Sequence, residues 1–158
     1  MRTVVLIVLF TIGCLVGAWS MPPSPTTNIG TRTIGYWKTH PQAWPTVNIY
    51  IGGIWYSPTQ ARSIMWVHDN RDMTYLMFSN LCAAILNIKM GNDSSEIMPY
   101  INQAQVWLYC YGLGNRVRAN SYAWQIGDPY NVGHLSGEGI KDKLDEYNNG
   151  RMNVPHAN

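Results

Sequence analysis

The sequence predicts a mainly α-helical fold, a compact bundle of about four helices with a small β-hairpin and an aromatic-rich N-terminal loop. Apolar side chains recur at the helical period in several segments after residue 57. Capping residues and glycines bound those segments, as expected at helix ends. One short segment instead alternates apolar and polar residues before a Gly-Gly pair, a pattern typical of a tight hairpin.

The first elements of the domain are predicted to be a loop and a hairpin. Residues 34–45 are rich in aromatic side chains and contain Pro41 and Pro45. Each proline disfavours the helical conformation in the residue before it, which predicts an irregular, packed loop with at most one helical turn between the prolines. Residues 47–56 are predicted to form the hairpin, with Gly52 and Gly53 as its turn.

Four helices are predicted after the hairpin. Ser57 caps the first, with Pro58 at its first position and Gln60 completing a capping box. The second, residues 73–90, is apolar on nearly all sides, which predicts a buried central helix. The third spans residues 95–111 and the fourth residues 136–147, and residues 115–133 between them are predicted to be irregular.

Composition excludes several classes of protein. The 158 residues are 46% hydrophobic and only 13% charged, with a formal net charge of +2. High apolar content excludes a disordered chain. Eleven Lys and Arg against nine Asp and Glu provide no strong field for binding nucleic acid, which is therefore not expected as a partner.

The N-terminus predicts export. Arg2 precedes an uncharged apolar run that ends in small residues, so residues 1–20 are predicted to be a secretory signal peptide. The run is also just long enough to remain as a membrane anchor. The protein is therefore expected to be secreted, extracellular or at the cell surface.

The predicted leader divides the chain into four parts. After residues 1–20 we expect an extended, Pro-rich tail at residues 21–33, one globular domain at residues 34–150 and a C-terminal tail at residues 151–158. The N-terminal tail is expected not to pack on its own domain, while residues 31–34 could add as a strand to another copy.

Two modification sites are candidates. Removal of the leader leaves Cys82 and Cys110, and an oxidising compartment favours a disulfide between them. A straight antiparallel helix pair opposes that bond, because it separates the two Cα atoms by more than the ~7 Å that a disulfide allows, so bond and free thiols both stay open. Asn92 begins an Asn-Asp-Ser glycosylation acceptor in a loop between two predicted helices, where it is expected to be accessible.

Aromatic side chains are the main candidates for binding or packing. The 7 Trp and 10 Tyr exceed what one small core needs, so they serve either the core or a contact surface. Trp37 is expected to be a buried anchor against the central helix. The candidate residues are Tyr36, Trp37, His40, Trp44, Trp55 and Tyr56.

Catalytic chemistry has little support in the sequence. His40 is either a metal ligand or general base, or a packed histidine bonded to loop backbone, and no other His or Cys stands at zinc-site spacing from it. Acids that could pair for glycoside chemistry are predicted at helix starts or on polar helix faces. They are Asp93, Glu96, Asp142, Asp145 and Glu146. No catalytic residue, no metal site and no cofactor is predicted.

Three short motifs carry a family resemblance. They are G-Y-W-K-T-H-P at residues 35–41, A-A-I-L-N at residues 83–87 and Y-N-N-G at residues 147–150. In this order they resemble a family of small secreted or cell-surface domains of uncharacterised function, over residues 33–150. The resemblance implies an extracellular module. Members of that family carry cysteines near the two motif ends, whereas Cys82 and Cys110 are internal.

These observations lead to a ranked expectation of function. The first is a secreted, non-catalytic surface module that acts by protein–protein contact, as a repeating subunit of an extracellular assembly. Its expected partners are other copies or other surface proteins, and the membrane only if the leader is retained. The second is a glycan-binding module that uses exposed Trp and Tyr, and the third a small secreted hydrolase.

Overall fold

The structure, a computed structural model, describes residues 29–126 and 135–157. The predicted signal peptide, residues 21–28 of the predicted tail, residues 127–134 and Asn158 lie outside the described residues. The prediction of a mainly helical fold with one small hairpin is confirmed. In chain order the elements are α1 (Ile34–Thr39), a 3-10 helix (Pro41–Ala43), β1 (Ile49–Ile51), β2 (Ile54–Tyr56), α2 (Pro58–Met65), α3 (Met73–Lys89), α4 (Met98–Tyr111), α5 (Tyr122–Gln125) and α6 (Gly137–Asn148).

Helix α3 is the centre of the fold, as its all-round apolar sequence predicts. It contacts α1, α2, α4, α6 and β1. Most of its residues are buried. The carboxylate of Asp72 caps its N-terminus by accepting the Thr74 backbone N–H at 3.0 Å. The main described elements of the fold are therefore arranged around one helix.

Local sequence signals place α2 and the hairpin as predicted. The Ser57 hydroxyl accepts the Gln60 N–H, and the Gln60 side chain accepts the Ser57 N–H at 2.9 Å, which completes the capping box. In the hairpin, Gly52 and Gly53 have φ of 56° and 88°, values that favour glycine. The register pairs Tyr50 with Trp55.

The opening segment is more helical than predicted. Residues 34–39 form α1 instead of a loop, because the Thr33 hydroxyl accepts the Tyr36 N–H at 3.2 Å and starts the helix. The helix ends at His40, directly before Pro41. The prolines thus restrict only the segment after α1. The predicted start of the third helix at residue 95 is also wrong, since α4 begins at Met98.

Both predicted tails are wrong where the structure describes them. The Thr31 N–H donates to the Pro155 carbonyl at 2.9 Å, and the Ala157 N–H donates to the Thr31 carbonyl at 3.0 Å. These bonds form a parallel bridge between the two terminal segments. Thr31 and Val154 are buried. Because the backbone of Thr31 is already paired within the chain, residues 31–34 do not offer a strand to another copy.

The described terminal segments therefore belong to the domain. Gly150 has a φ of 64°, and a Cβ placed on it would lie 2.0 Å from the backbone nitrogen of His156. This close approach turns the chain back from α6 towards the N-terminal segment. Within the described residues, no helix is both long and apolar enough to cross a bilayer.

Candidate functional site

Trp37 is a buried anchor, as predicted. Its side chain lies on α1 with 0% exposure and packs in the core that surrounds α3. Its indole N–H donates to the side-chain carbonyl of Asn87 on α3 at 3.3 Å. The hydrogen bond satisfies the polar edge of a buried ring, so Trp37 joins α1 to α3 rather than facing a ligand.

Asn87 lies at the junction of the three motifs. Its side-chain oxygen also accepts the Arg32 N–H at 2.8 Å, and its amide N–H groups donate to the Arg32 carbonyl at 2.9 Å and to the Asn148 side-chain oxygen at 3.0 Å. Asn148 donates in turn to the Asn80 carbonyl at 3.0 Å. One buried asparagine thus joins the Trp37, Asn87 and Asn148 segments, which gives these motifs a role in holding the fold.

Neither Asn87 nor Asn148 was among the predicted site residues. The available signal was Asn87 itself, a polar residue within the apolar sequence of α3, because a buried amide requires hydrogen-bond partners. The partners of both asparagines come from other segments of the chain. The network could therefore not be assigned before the fold was in view.

Tyr36 and His40 close the end of α1. Their rings stack with centroids 4.2 Å apart and planes at 11°. The His40 Nδ1–H donates to the Tyr36 carbonyl at 3.0 Å, which places the ring nitrogen on a helix C-terminal oxygen. The Arg32 guanidinium lies 4.8 Å from the centroid of the Tyr36 ring. His40 therefore bonds to backbone, and across the described residues no three His, Cys, Asp or Glu side chains gather as a metal site would require.

Trp44 and Tyr56 also support the core. The Trp44 indole N–H donates to the Trp37 carbonyl at 2.9 Å. The Tyr56 ring meets Phe78 edge-on, with centroids 5.2 Å apart, and burial raises the pKa of the Tyr56 phenol. Both side chains are half-buried and pack against the core cluster.

Trp55 alone among the six aromatic candidates projects into solvent. Its side chain is 67% exposed and lies against Tyr50, with ring centroids 5.1 Å apart and planes at 55°. Tyr109 of α4 is 73% exposed and lies beside the hairpin turn, where a Cβ on Gly53 would approach its ring to 2.9 Å. Ile54, which precedes Trp55 in β2, is also exposed.

We name the exposed apolar and aromatic side chains of the hairpin, and of the turns of α4 that adjoin it, the hairpin face. It consists of Tyr50, Ile54, Trp55, Val106 and Tyr109. Two of these residues, Ile54 and Tyr109, line a groove of about 270 Å³ between the hairpin tip and the end of α4. Of these five residues, only Trp55 was predicted as a site residue, since nothing local indicates that α4 meets the hairpin turn.

The hairpin face is rigidly held. The Gln105 side chain donates to the Tyr50 carbonyl at 2.8 Å and accepts the Gly52 N–H at 2.7 Å. These two bonds satisfy the Tyr50 carbonyl of β1 and the Gly52 N–H of the turn, and they attach the hairpin to α4. The side chains of Ile49 and Ile51 are buried beneath it, so the exposed side chains stand on a fixed base.

The prediction that Asn92 is an accessible glycosylation acceptor is wrong. Asn92 is only 3% exposed. Its amide N–H groups donate to the carbonyls of Gly30 and Asn87 at 3.1 and 3.0 Å, and its oxygen accepts the Gly30 N–H at 3.0 Å. The nitrogen that would carry a glycan is buried and fully bonded, because it holds the N-terminal segment.

The candidate disulfide is not formed. Cys82 is buried in α3, Cys110 is exposed on α4, and both are free. Burial raises the pKa of the Cys82 thiol. Cys110 lies two residues after the buried Leu108, about 200° around the helix. It therefore points away from α3. The sequence left a disulfide and two free thiols open, and the structure has two free thiols.

The acidic candidates make contacts that hold the fold. The Asp93 carboxylate accepts the Ser95 N–H at 2.9 Å and the Asn153 side-chain N–H at 2.7 Å. The Ser95 backbone bond, with further hydrogen bonds, lowers the pKa of Asp93. Glu146 pairs with Lys143 at 2.7 Å on α6. Asp93 thus ties the loop between α3 and α4 to the C-terminal segment.

Comparisons with family profiles, curated proteins and solved structures gave no match. The resemblance to small secreted domains therefore stays a prediction. What the structure adds is the position of its motifs, because Trp37, Asn87 and Asn148 meet in one buried network. Among the described residues, the hairpin face carries exposed aromatic side chains that the core does not use.

Proposed function

We propose that this protein is an exported, non-catalytic contact module that associates with a second copy of itself through the hairpin face. The observation that carries the proposal is the absence of charge in the segments that build this face. Residues 39–61 and residues 97–115 contain no Asp, Glu, Lys or Arg. Depletion of charge and enrichment of aromatic residues are the features that distinguish the buried centre of a protein interface from other surface.

A second copy is the occupant that this surface favours. The face has no charged group that would select a partner of opposite charge, and two identical uncharged faces do not repel each other. The low net charge of +2 also favours self-association, because it causes little repulsion between two copies. A twofold arrangement would place the same aromatic side chains on both sides of the contact.

The edge of β2 supports this arrangement. In a hairpin with a two-residue turn, Ile51 and Ile54 exchange hydrogen bonds, so the backbone groups of Tyr50 and Trp55 point outward. The side-chain amide of Gln105 donates a hydrogen bond to the outward carbonyl of Tyr50. No described residue bonds the outward groups of Trp55. They can pair antiparallel with the same residue of a second copy.

Glycan binding through the same aromatic residues is less favoured. A sugar ring stacks on a flat aromatic surface, and the Tyr50 and Trp55 rings are inclined at 55°. The two functions differ in what a substitution changes. Loss of oligosaccharide binding with an unchanged oligomeric state in a Trp55→Ala variant would favour the glycan function.

Sedimentation analysis over a concentration series tests the proposal. The wild-type protein should associate, and Tyr109→Glu should weaken association by at least about tenfold, since it buries a charge at the contact. Tyr122→Glu is the matched control, because Tyr122 is an exposed tyrosine outside the hairpin face. Thermal unfolding should show that both variants keep the stability of the monomer. A wild-type protein that stays monomeric, or equal effects of the two variants, would refute the proposal.

A further inference from the structure

A second surface of the molecule concentrates positive charge. A solvent-open pocket of about 670 Å³ lies between the loop that joins α2 to α3 and the loop that joins α4 to α5. The residues that line it are Asp69, Asn70, Arg71, Arg116, Arg118, Ala119 and Asn120. They share no residue with the hairpin face, so the function of this pocket does not depend on self-association.

Buried hydrogen bonds hold both loops in place. The Asp72 carboxylate, 1% exposed, accepts the Thr74 hydroxyl at 2.7 Å and the Arg116 backbone N–H at 2.9 Å. The Met73 N–H donates to the Val117 carbonyl at 2.7 Å. These bonds keep Arg116 at a φ of 59°, a conformation that residues other than glycine rarely adopt. The guanidinium groups are thus carried by a fixed backbone.

The pocket has an excess of cations. Its described lining contains three of the seven arginines of the chain and one carboxylate, that of Asp69. Asp69 pairs with Arg71 at 3.3 Å. Hydrogen bonds from Arg71 lower the pKa of Asp69, with a smaller contribution from the charge of Arg116. Within residues 29–126 and 135–157, no carboxylate lies within ion-pair distance of Arg116 or Arg118.

The lining indicates the class of ligand. A guanidinium presents a planar fork of N–H donors that matches a carboxylate or a phosphate, and a sulfate has the same tetrahedral oxygens as a phosphate. The amides of Asn70 and Asn120 can donate to and accept from hydroxyl groups. None of the described lining residues is aromatic, so a nucleobase would find no ring on which to stack. The volume lies within the usual range of ligand sites, about 300–1,000 Å³.

We infer that this pocket binds an acidic saccharide, with Arg116 and Arg118 on its carboxylate or sulfate group and the two asparagines on its hydroxyl groups. Such a ligand combines the two chemistries that the described lining offers. Because Arg71 is partly engaged by Asp69, Arg116 and Arg118 carry the recognition. Affinity should fall as the salt concentration rises, since the pocket is exposed to solvent.

Calorimetric titration of the full protein with defined probes tests this inference. The probes are trigalacturonate, a sulfated disaccharide, neutral maltotriose, inorganic sulfate and a nucleoside monophosphate. At least one acidic saccharide should bind, and maltotriose should not. A preference between the first two identifies the acid group that is recognised. Tighter binding of inorganic sulfate or of the nucleotide would overturn the inference.

Substitutions localise the binding. Arg116→Gln and Arg118→Gln should each weaken saccharide binding by about tenfold, the loss expected for one charged hydrogen-bonding group. Arg151→Gln is the matched control, since it removes the same charge from an exposed position outside the pocket. If Arg116→Gln fails to fold, Arg116→Gly removes the side chain while suiting the positive φ. Equal affinity of the pocket variants and the control would refute the inference.

Discussion

Asn87 offers the most direct test of how the fold is held, and Asn87→Ala is the substitution of choice. It removes four hydrogen bonds at once. Two of them join Asn87 to the Arg32 backbone at a partly buried position, where water can replace the lost partner. The other two leave the Trp37 indole N–H and the Asn148 side-chain oxygen buried without that partner.

The expected cost depends on those two buried groups. A buried polar group left unsatisfied costs about 1–3 kcal/mol. Two such groups, together with partial compensation at Arg32, lead to an expected loss of about 3–5 kcal/mol in the free energy of unfolding. Since small domains are stable by only about 5–15 kcal/mol, this is a large part of the total.

Urea unfolding followed by tryptophan fluorescence measures the loss. The midpoint should fall while the denaturant slope is unchanged. Asn102→Ala is the matched control, because Asn102 is an exposed asparagine on α4, and it should change stability by less than about 0.5 kcal/mol. In a Trp37→Phe background, which already lacks the indole N–H, Asn87→Ala should cost about 1 kcal/mol less. A cost below about 1 kcal/mol in the wild-type background would refute the reasoning.

Three further outcomes are expected. Trp37→Ala should lower the free energy of unfolding by about 3–5 kcal/mol. Trp55→Ala, at an exposed position, should change it by less than about 0.5 kcal/mol in the monomer. Similar losses for the two variants in denaturant unfolding would contradict the assigned burial. A thiol reagent should modify Cys110 in the native protein and Cys82 only after unfolding, and mass spectrometry that finds the two linked would overturn the free-thiol assignment. Because the folded pKa of Asp93 is lowered, its stabilisation is complete above its usual pKa of about 3.9 and is lost as the pH falls through the lowered value. Unfolding measured between pH 5 and pH 2 should therefore show a smaller acid-induced loss in Asp93→Asn than in the wild type, and parallel curves would contradict this.

Features set by neighbouring residues could be predicted from the sequence. The capping box of Ser57, Pro58 and Gln60, the Gly52-Gly53 turn and the buried character of α3 all depend on side chains within a few positions of one another. Helix capping, turn geometry and helical periodicity act over that same range. The burial of Trp37 was also predicted, but its hydrogen-bond partner Asn87 was not.

Only the tertiary structure decided what the termini, Asn92 and the exposed aromatic side chains do. Asn92 bonds to Gly30 across 62 positions, and Asn87 bonds to Trp37 across 50. A local pattern carries no information about such partners, so the asparagine in an acceptor motif was predicted to be accessible, although it is buried. The hairpin face depends on the same kind of distant contact, because Tyr109 becomes part of it only where α4 meets the turn at Gly53. Sequence periodicity identifies the residues whose burial is favourable, whereas the packing of distant segments determines which of them are buried.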